Sequence, residues 1–170
     1  MNTISRRKLI KGTSAGLVLA GAGSTQLGWA QVDAGDTLDA SPLIYLSPLH
    51  KDGALSRCQA EVWYVAQQGE MFVVTDKESW RAEALTFGLN QAQIWIGDVG
   101  RWQRAGGRYK ELPGMVATAS FETNATRHAE LLEHFGRKYP DEWGSWGPRF
   151  RKGLARGSRV MLKYVPAKTG

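Results

Sequence analysis

This 170-residue chain is poor in the residues that build most recognisable catalytic centres. It has one cysteine, three histidines and six prolines. The lone thiol, Cys58, excludes an intrachain disulfide framework, a CxxC pair and any cysteine-rich zinc site. Its place within an expected strand suits a small buried apolar role better than a nucleophile. None of His50, His128 and His134 has good metal-ligand spacing. His128 and His134 lie six apart on an expected helix and point to different faces, and Glu130 with His134 at i, i+4 reads as an exposed polar pair. No G-x-G-x-x-G, P-loop, G-x-S-x-G or H-E-x-x-H occurs. Internal repeats and low-complexity blocks are also missing.

A basic interior is missing as well, despite a formal net charge of +6 from 22 Lys+Arg and 16 Asp+Glu. Residues 1–30 hold Arg6, Arg7, Lys8 and Lys11 and no acid. Setting those four aside leaves 18 bases against 16 acids in residues 31–170, so the charge gives no support to a nucleic-acid partner. The basic cluster precedes a mild apolar stretch, Ala15–Gly23, well short of the roughly 20 residues that span a bilayer. Small residues at Gly28-Trp29-Ala30, or at Val32-Asp33-Ala34, complete the pattern of an export signal. Ser5-Arg-Arg-Lys-Leu-Ile-Lys11 resembles a twin-arginine signal with Leu9 in place of the usual Phe. That resemblance implies a periplasmic or secreted protein, handled by the twin-arginine translocase and exported without a stable membrane anchor. Export in the folded state suits a protein that takes up a cofactor first, and an oxidising compartment suits a chain with one thiol.

What remains divides into a small, polar lead-in (31–41), one domain (42–166) and a short tail (167–170). Six tryptophans remain after Trp29 is set aside, a heavy load for one core. Leu-Ile-Tyr-Leu-Ser between Pro42 and Pro48 is a short strand, and Lys51-Asp52-Gly53 is a turn. Cys58–Val65 alternates loosely, Gln67-Gln68-Gly69 turns the chain, and Met71–Thr75 is an apolar run too short for a helix. Trp80, Ala84 and Phe87 then fall at helical spacing, giving a helix over Asp76–Phe87 with Gly88 just beyond its end. Thr75 and Glu78 form a capping box, with Asp76 as the alternative cap. Further strands are expected at Gln93–Gly97, Arg101–Arg104, Met115–Phe121 and Ser158–Val165. Asn124 caps a second helix that runs to about Tyr139, buries Leu131, Leu132 and Phe135, and is stopped by Pro140. The expected fold class is mainly β with two helices (α+β), an antiparallel barrel of six or seven strands, closed or split.

Thr75-Asp-Lys-Glu-Ser-Trp-Arg81 takes a strand straight into a helix start, where free N–H groups favour an anion. Thr75 and Ser79 add hydroxyls, and Lys77 and Arg81 add charge. A self-capped helix is the alternative, because Asp76 and Glu78 suit that end without any ligand. Glu61–Val65, the Gln-Gln-Gly turn, Met71–Thr75, the helix with Lys77, Trp80 and Arg81, and the strand Ala92–Gly97 together resemble the flavin-binding split barrels related to pyridoxamine 5′-phosphate oxidase. The likeness covers roughly residues 42–166. It implies a homodimer that binds flavin mononucleotide (FMN), or a deazaflavin, between its subunits. It also implies phosphate contacts at Thr75, Lys77, Ser79 and Arg81, with Arg57 as a further one and Trp80 beside them. Leu55-Ser-Arg57 replaces the family's short Gly-x-Pro opening, and Glu83 or Ala84 stands where a basic residue is common.

Glu142–Arg156 reads as a basic aromatic loop, its glycines and Pro148 working against a sustained helix. Trp143 or Trp146 could stack on an anionic ring system such as flavin or haem, with Arg149 and its neighbours supplying charge. Alternatively the tryptophans plug the barrel end.

Overall fold

The computed structural model describes residues 38–167. The expected leader (1–30) lies outside the described residues, as do 31–37 and 168–170. Seven strands form one sheet: β1 Ile44–Pro48, β2 Ala60–Val62, β3 Val65–Gln67, β4 Glu70–Asp76, β5 Gln91–Ile96, β6 Gly114–Glu122 and β7 Arg159–Pro166. Three helices accompany it: α1 Trp80–Thr86, α2 Ala125–Lys138 and α3 Pro140–Arg156. The strand order is β2-β1-β5-β6-β7-β4-β3, and every pairing is antiparallel. The two edge strands, β2 and β3, are separated in sequence only by Trp63 and Tyr64. The three steps from Val62 to Val65 can span about 11 Å at most, so the sheet must curl to bring these two edges close. That closure is the split barrel, and the α+β, seven-stranded antiparallel class is the one the sequence indicates.

Period-two alternation sorts the side chains. Met71, Val73, Ile94, Ala117, Leu162 and Tyr164 face the barrel interior and are buried there. Phe72, Val74 and Met161 face the other way, into a layer formed by α2 and α3 with Leu131, Phe135 and Phe150. The turn Gln68-Gly69 has φ of 55° and 76°, the left-handed pair that a two-residue hairpin demands. The packed region reaches back to Leu38, which is buried in the barrel core, while Asp39 pairs with Lys138 at 3.1 Å.

Several expected elements fold differently. The single strand over Cys58–Val65 breaks at Trp63–Tyr64. There the Tyr139 hydroxyl accepts from the Tyr64 amide (3.0 Å) and lies 2.8 Å from the Tyr64 carbonyl, standing in for a neighbouring strand. Trp63 stacks on the same tyrosine at 4.4 Å. Arg101–Arg104 is not a strand but a turn, closed by amides of Arg104 and Ala105 donating to the Arg101 carbonyl. It leads into a loop that covers Tyr45 and Trp95 with Ala105 and Tyr109. The first helix starts at Trp80 rather than Asp76, because Asp76 still pairs with Arg159 in the sheet and the Lys77 amide donates to the Ser158 carbonyl. The Thr75–Glu78 capping box does not form, and Ser79 is the N-cap residue.

The largest correction is a third helix. Asn124 caps α2 as expected, its Oδ1 accepting from the amides of Thr126 (2.9 Å) and Arg127 (3.1 Å). Pro140 ends α2 as expected but also opens α3, since a proline is well suited to a first helical position. The supposed loop over Glu142–Arg156 is therefore helical. Its Gly147, and Gly136 of α2, are demanded by packing. A Cβ on Gly136 or Gly147 would lie 2.7 or 2.8 Å from the Trp143 indole, so these two glycines let α2 and α3 close on that ring. Pro148 sits on the exposed side, where the carbonyl it leaves without a donor faces water.

Candidate functional site

Arg81 occupies the first turn of α1, whose start is set by Ser79. Its Nη1 donates to Thr75 Oγ1 at 2.5 Å, and Thr75 Oγ1 lies 3.0 Å from Ser79 Oγ. Its Nε is buried with no acceptor among the described residues. Arg127, Lys138, Arg159 and Lys163 each have a carboxylate within 4 Å; among the described residues Arg81 has none. A guanidinium carries five donors and always a charge; Arg81 is half-buried, and of its nitrogens only Nε is both buried and without a partner among the described residues. The acids that could have filled the place turn elsewhere: Asp76 pairs with Arg159 at 3.3 Å, and Glu78 is exposed. On the barrel side, the phenol of fully buried Tyr164 is pushed above its ordinary range by burial, with the Arg81 charge pulling the other way.

Trp80, which precedes Arg81 on α1, lines an open cleft of about 490 Å³ together with His50, Ser56, Arg57 and Cys58; Thr75, Ser79 and Arg81 themselves are not in its lining. A second hollow of about 690 Å³, sharing His50, continues past Lys51, Asp52, Phe87 and Leu89. Trp80 and Phe87 are 6.1 Å apart, and Phe87 is 63% exposed. Cleft volumes of this order take a drug-sized or nucleotide-sized ligand.

The candidate residues fall into three places. Thr75, Ser79 and Arg81 form one hydrogen-bonded group. Arg57 and Trp80 line the cleft. Lys77 is exposed on the turn between β4 and α1. Trp146 and Arg149 are elsewhere: Thr75 follows Val73 on the barrel face of β4, whereas Asp76 follows Val74 on the helical face. Asp76 pairs with Arg159, whose guanidinium lies 6.0 Å from the Trp146 ring, and Arg149 lies 5.1 Å over that same ring. The sheet thus separates the α3 pair from Arg81. Sequence reasoning missed His50 as a cleft residue, and Cys58 too, which is half-buried ahead of β2 and lines the cleft rather than sitting buried within a strand. The signal for His50 was the Asp52-Gly53 turn, which closes with the Gly53 amide on the His50 carbonyl and pairs Leu49 with Leu55, folding His50 back beside Ser56 and Arg57.

Chemically, Arg81 offers a cation without a carboxylate partner among the described residues and two hydroxyls, and its chain neighbour Trp80 offers a cleft an indole wall. That suits an anionic head joined to a flat ring. Among the described residues no group of three or more His, Cys, Asp or Glu could hold a metal ion, and no helix is long and apolar enough to cross a membrane.

No family model matches the chain, and no curated protein matches it. Solved structures do match. Conserved hypothetical protein Rv2991 from Mycobacterium tuberculosis is 17% identical, with 82% of this chain and 81% of that one covered and a TM-score of 0.55. HutZ, the heme storage protein from Vibrio cholerae, is 14% identical over 81% of this chain and 89% of its own, at 0.53. ChuZ from Campylobacter jejuni is 12% identical at 0.54; the match takes in 79% of this chain and about half, 51%, of ChuZ. At these identities the likeness carries the fold alone.

Proposed function

We propose that this chain is an exported flavin-nucleotide-binding protein of the oxidoreductase type, holding FMN or a deazaflavin. The observation that carries this reading is Arg81, a cation with a buried, acceptorless Nε and no carboxylate partner among the described residues. A phosphate would supply the missing acceptors, and the Thr75 and Ser79 hydroxyls would complete its shell. Seven-residue α1 is too short for its amides to make that site, so the guanidinium is the anchor. Arg57 and Lys77 add positive charge around the phosphate, and Trp80 gives the ring an aromatic wall. When bound, the isoalloxazine supplies the hydride or electron chemistry. The chain's own part is to hold the phosphate and to orient and shield the ring. We place the working protein outside the cytoplasm, carried there folded by the twin-arginine translocase with its cofactor inserted, and as a homodimer.

The test is a spectrum of the full chain expressed with its leader and purified from the periplasm. Flavin or deazaflavin bands support the reading. A colourless protein that also fails to bind added FMN overturns it.

A second reading, haem binding, is favoured by His50 and Cys58 lining one cleft beside Arg57. Histidine and cysteine both serve as axial ligands to haem iron, and an arginine suits a propionate. HutZ, a structural neighbour, is described as a heme storage protein. A Soret band on reconstitution, lost in His50→Ala and kept in Lys77→Ala/Arg81→Ala, would select this reading over flavin.

A further inference from the structure

We propose that the C-terminal half of α3 is a docking surface for an acidic segment of a partner protein. The sequence is sharply polarised. From Trp143 to Gly170 there are seven Lys and Arg and no acid; residues 31–142 hold all 16 acids of the chain and the other 11 of the 18 bases. Of those seven, Arg159 and Lys163 are matched to Asp76 and Glu70. Arg149, Arg151, Lys152 and Arg156 are exposed on α3 and make no ion pair among the described residues.

Their arrangement goes beyond a solvated helix face. Cations in the last turn complement the helix dipole, which accounts for Arg156 but not for three more up to a full turn or two earlier. Arg149, Lys152 and Arg156 stand at i, i+3 and i+7, one stripe about 10 Å long at 1.5 Å per residue. Two guanidiniums are held in place by aromatic faces: Arg149 lies 5.1 Å over Trp146 and Arg151 5.7 Å over Trp143. The Trp143 indole is itself fixed between Gly136 and Gly147. Stacked guanidiniums lose less freedom on binding and present a planar fork that matches a carboxylate with two parallel bonds.

The same face argues against a lipid surface. Between the cations it exposes Ser145, Pro148 and Ala155 and no large apolar side chain, whereas an interfacial helix needs tryptophan, phenylalanine or leucine to enter the acyl boundary. The stripe is one helix wide, enough for a segment offering two or three carboxylates. The inference does not rest on the cofactor, because the sheet separates this face from Arg81.

The experiment is fluorescence anisotropy of a labelled twelve-residue glutamate-rich peptide against the full chain, at low salt and at physiological salt. One comparison variant is Arg149→Ala/Lys152→Ala/Arg156→Ala; the other, Arg101→Ala/Arg104→Ala/Lys110→Ala, removes the same charge from a distant exposed loop. Alanine is the best helix former, and circular dichroism checks that both variants keep their helices. The expected result is saturable binding by the wild type, weakened at least about tenfold by the α3 variant and less than about threefold by the loop variant. Arg149→Lys should weaken it too, since the charge remains and the fork is lost. No binding, equal loss in both variants, or tighter binding to phosphatidylglycerol vesicles or single-stranded DNA than to the peptide would overturn the proposal. Flavin binding should be unchanged in the α3 variant, so the two readings fail separately.

Discussion

The helical layer and the open end of the barrel use the same aromatic residue types to opposite effect. In the layer, Phe135 stacks with Tyr139 (6.0 Å) and Trp143 (6.1 Å) and meets Phe150 edge-on (5.8 Å), while Trp63 stacks on Tyr139. Each of these rings has a ring neighbour, and the glycines around Trp143 remove the remaining space. At the open end, Trp80 has one aromatic neighbour, Phe87, which is mostly exposed. Among half-buried cations the same contrast holds: Arg127 and Lys138 are matched to acids, and Arg81 is not among the described residues, while the unpaired cations of α3 are all exposed. A region that leaves its rings and its cation unfinished gives up stability that a ligand can restore, and this is how binding sites differ from cores.

The comparison can be broken most severely from the layer side. Phe135→Ala should cost about 3–5 kcal/mol in chemical denaturation, the usual range for emptying a buried aromatic site. Loss under about 1 kcal/mol would mean the layer is not the structural half. Alkali should act next. Burial holds the phenols of Tyr64, Tyr139 and Tyr164 above the ordinary 10.0 in the fold, while the unfolded chain ionises normally. Their stabilisation is complete below that value and is lost as pH rises past it. Lys138 works oppositely: burial lowers its pKa, the Asp39 contact resisting, so its cost is relieved as pH rises toward the ordinary lysine value. Three phenols outweigh one ammonium, and the midpoint in urea should fall steadily above pH 10.

Smaller effects sharpen the contrast. Gly147→Ala places a methyl 2.8 Å from the Trp143 ring and should cost about 1–3 kcal/mol. Gly144→Ala, in the same helix with nothing within 4 Å, should gain up to about 1 kcal/mol. At the open end, Phe87→Ser should change stability by less than about 0.5 kcal/mol.

Much of this contrast was legible in the sequence, but unevenly. Strand alternation in Met71–Thr75 and the α2 stripe with its Asn124 cap follow from local chemistry, and the structure has them. Arg57, Trp80 and the Thr75–Arg81 group came from local strand-to-helix chemistry and family resemblance together. The third helix was hidden, because only the folded chain shows what its loop signals do: Gly147 makes room for the Trp143 ring, Gly153 for the Arg159 side chain, and Gly144 and Pro148 sit on the exposed side. Tyr139 breaking the second strand is a contact 75 residues long, invisible to any window. Trp146 and Arg149 looked like companions of the same site because they share its chemistry, yet one residue's step along β4 puts them behind the sheet.

The central claim is that Arg81 is kept for an anion at the expense of local satisfaction. Titration of FMN into the purified chain, followed by quenching of flavin fluorescence, tests it directly when paired with thermal unfolding of Arg81→Met. The account predicts that the substitution leaves the unfolding temperature unchanged or raised, since a poorly satisfied charge is replaced by an apolar side chain. It also predicts at least about tenfold weaker FMN binding, roughly 1.4 kcal/mol. FMN binding as tight in Arg81→Met as in the wild type, with stability lost instead, would contradict it.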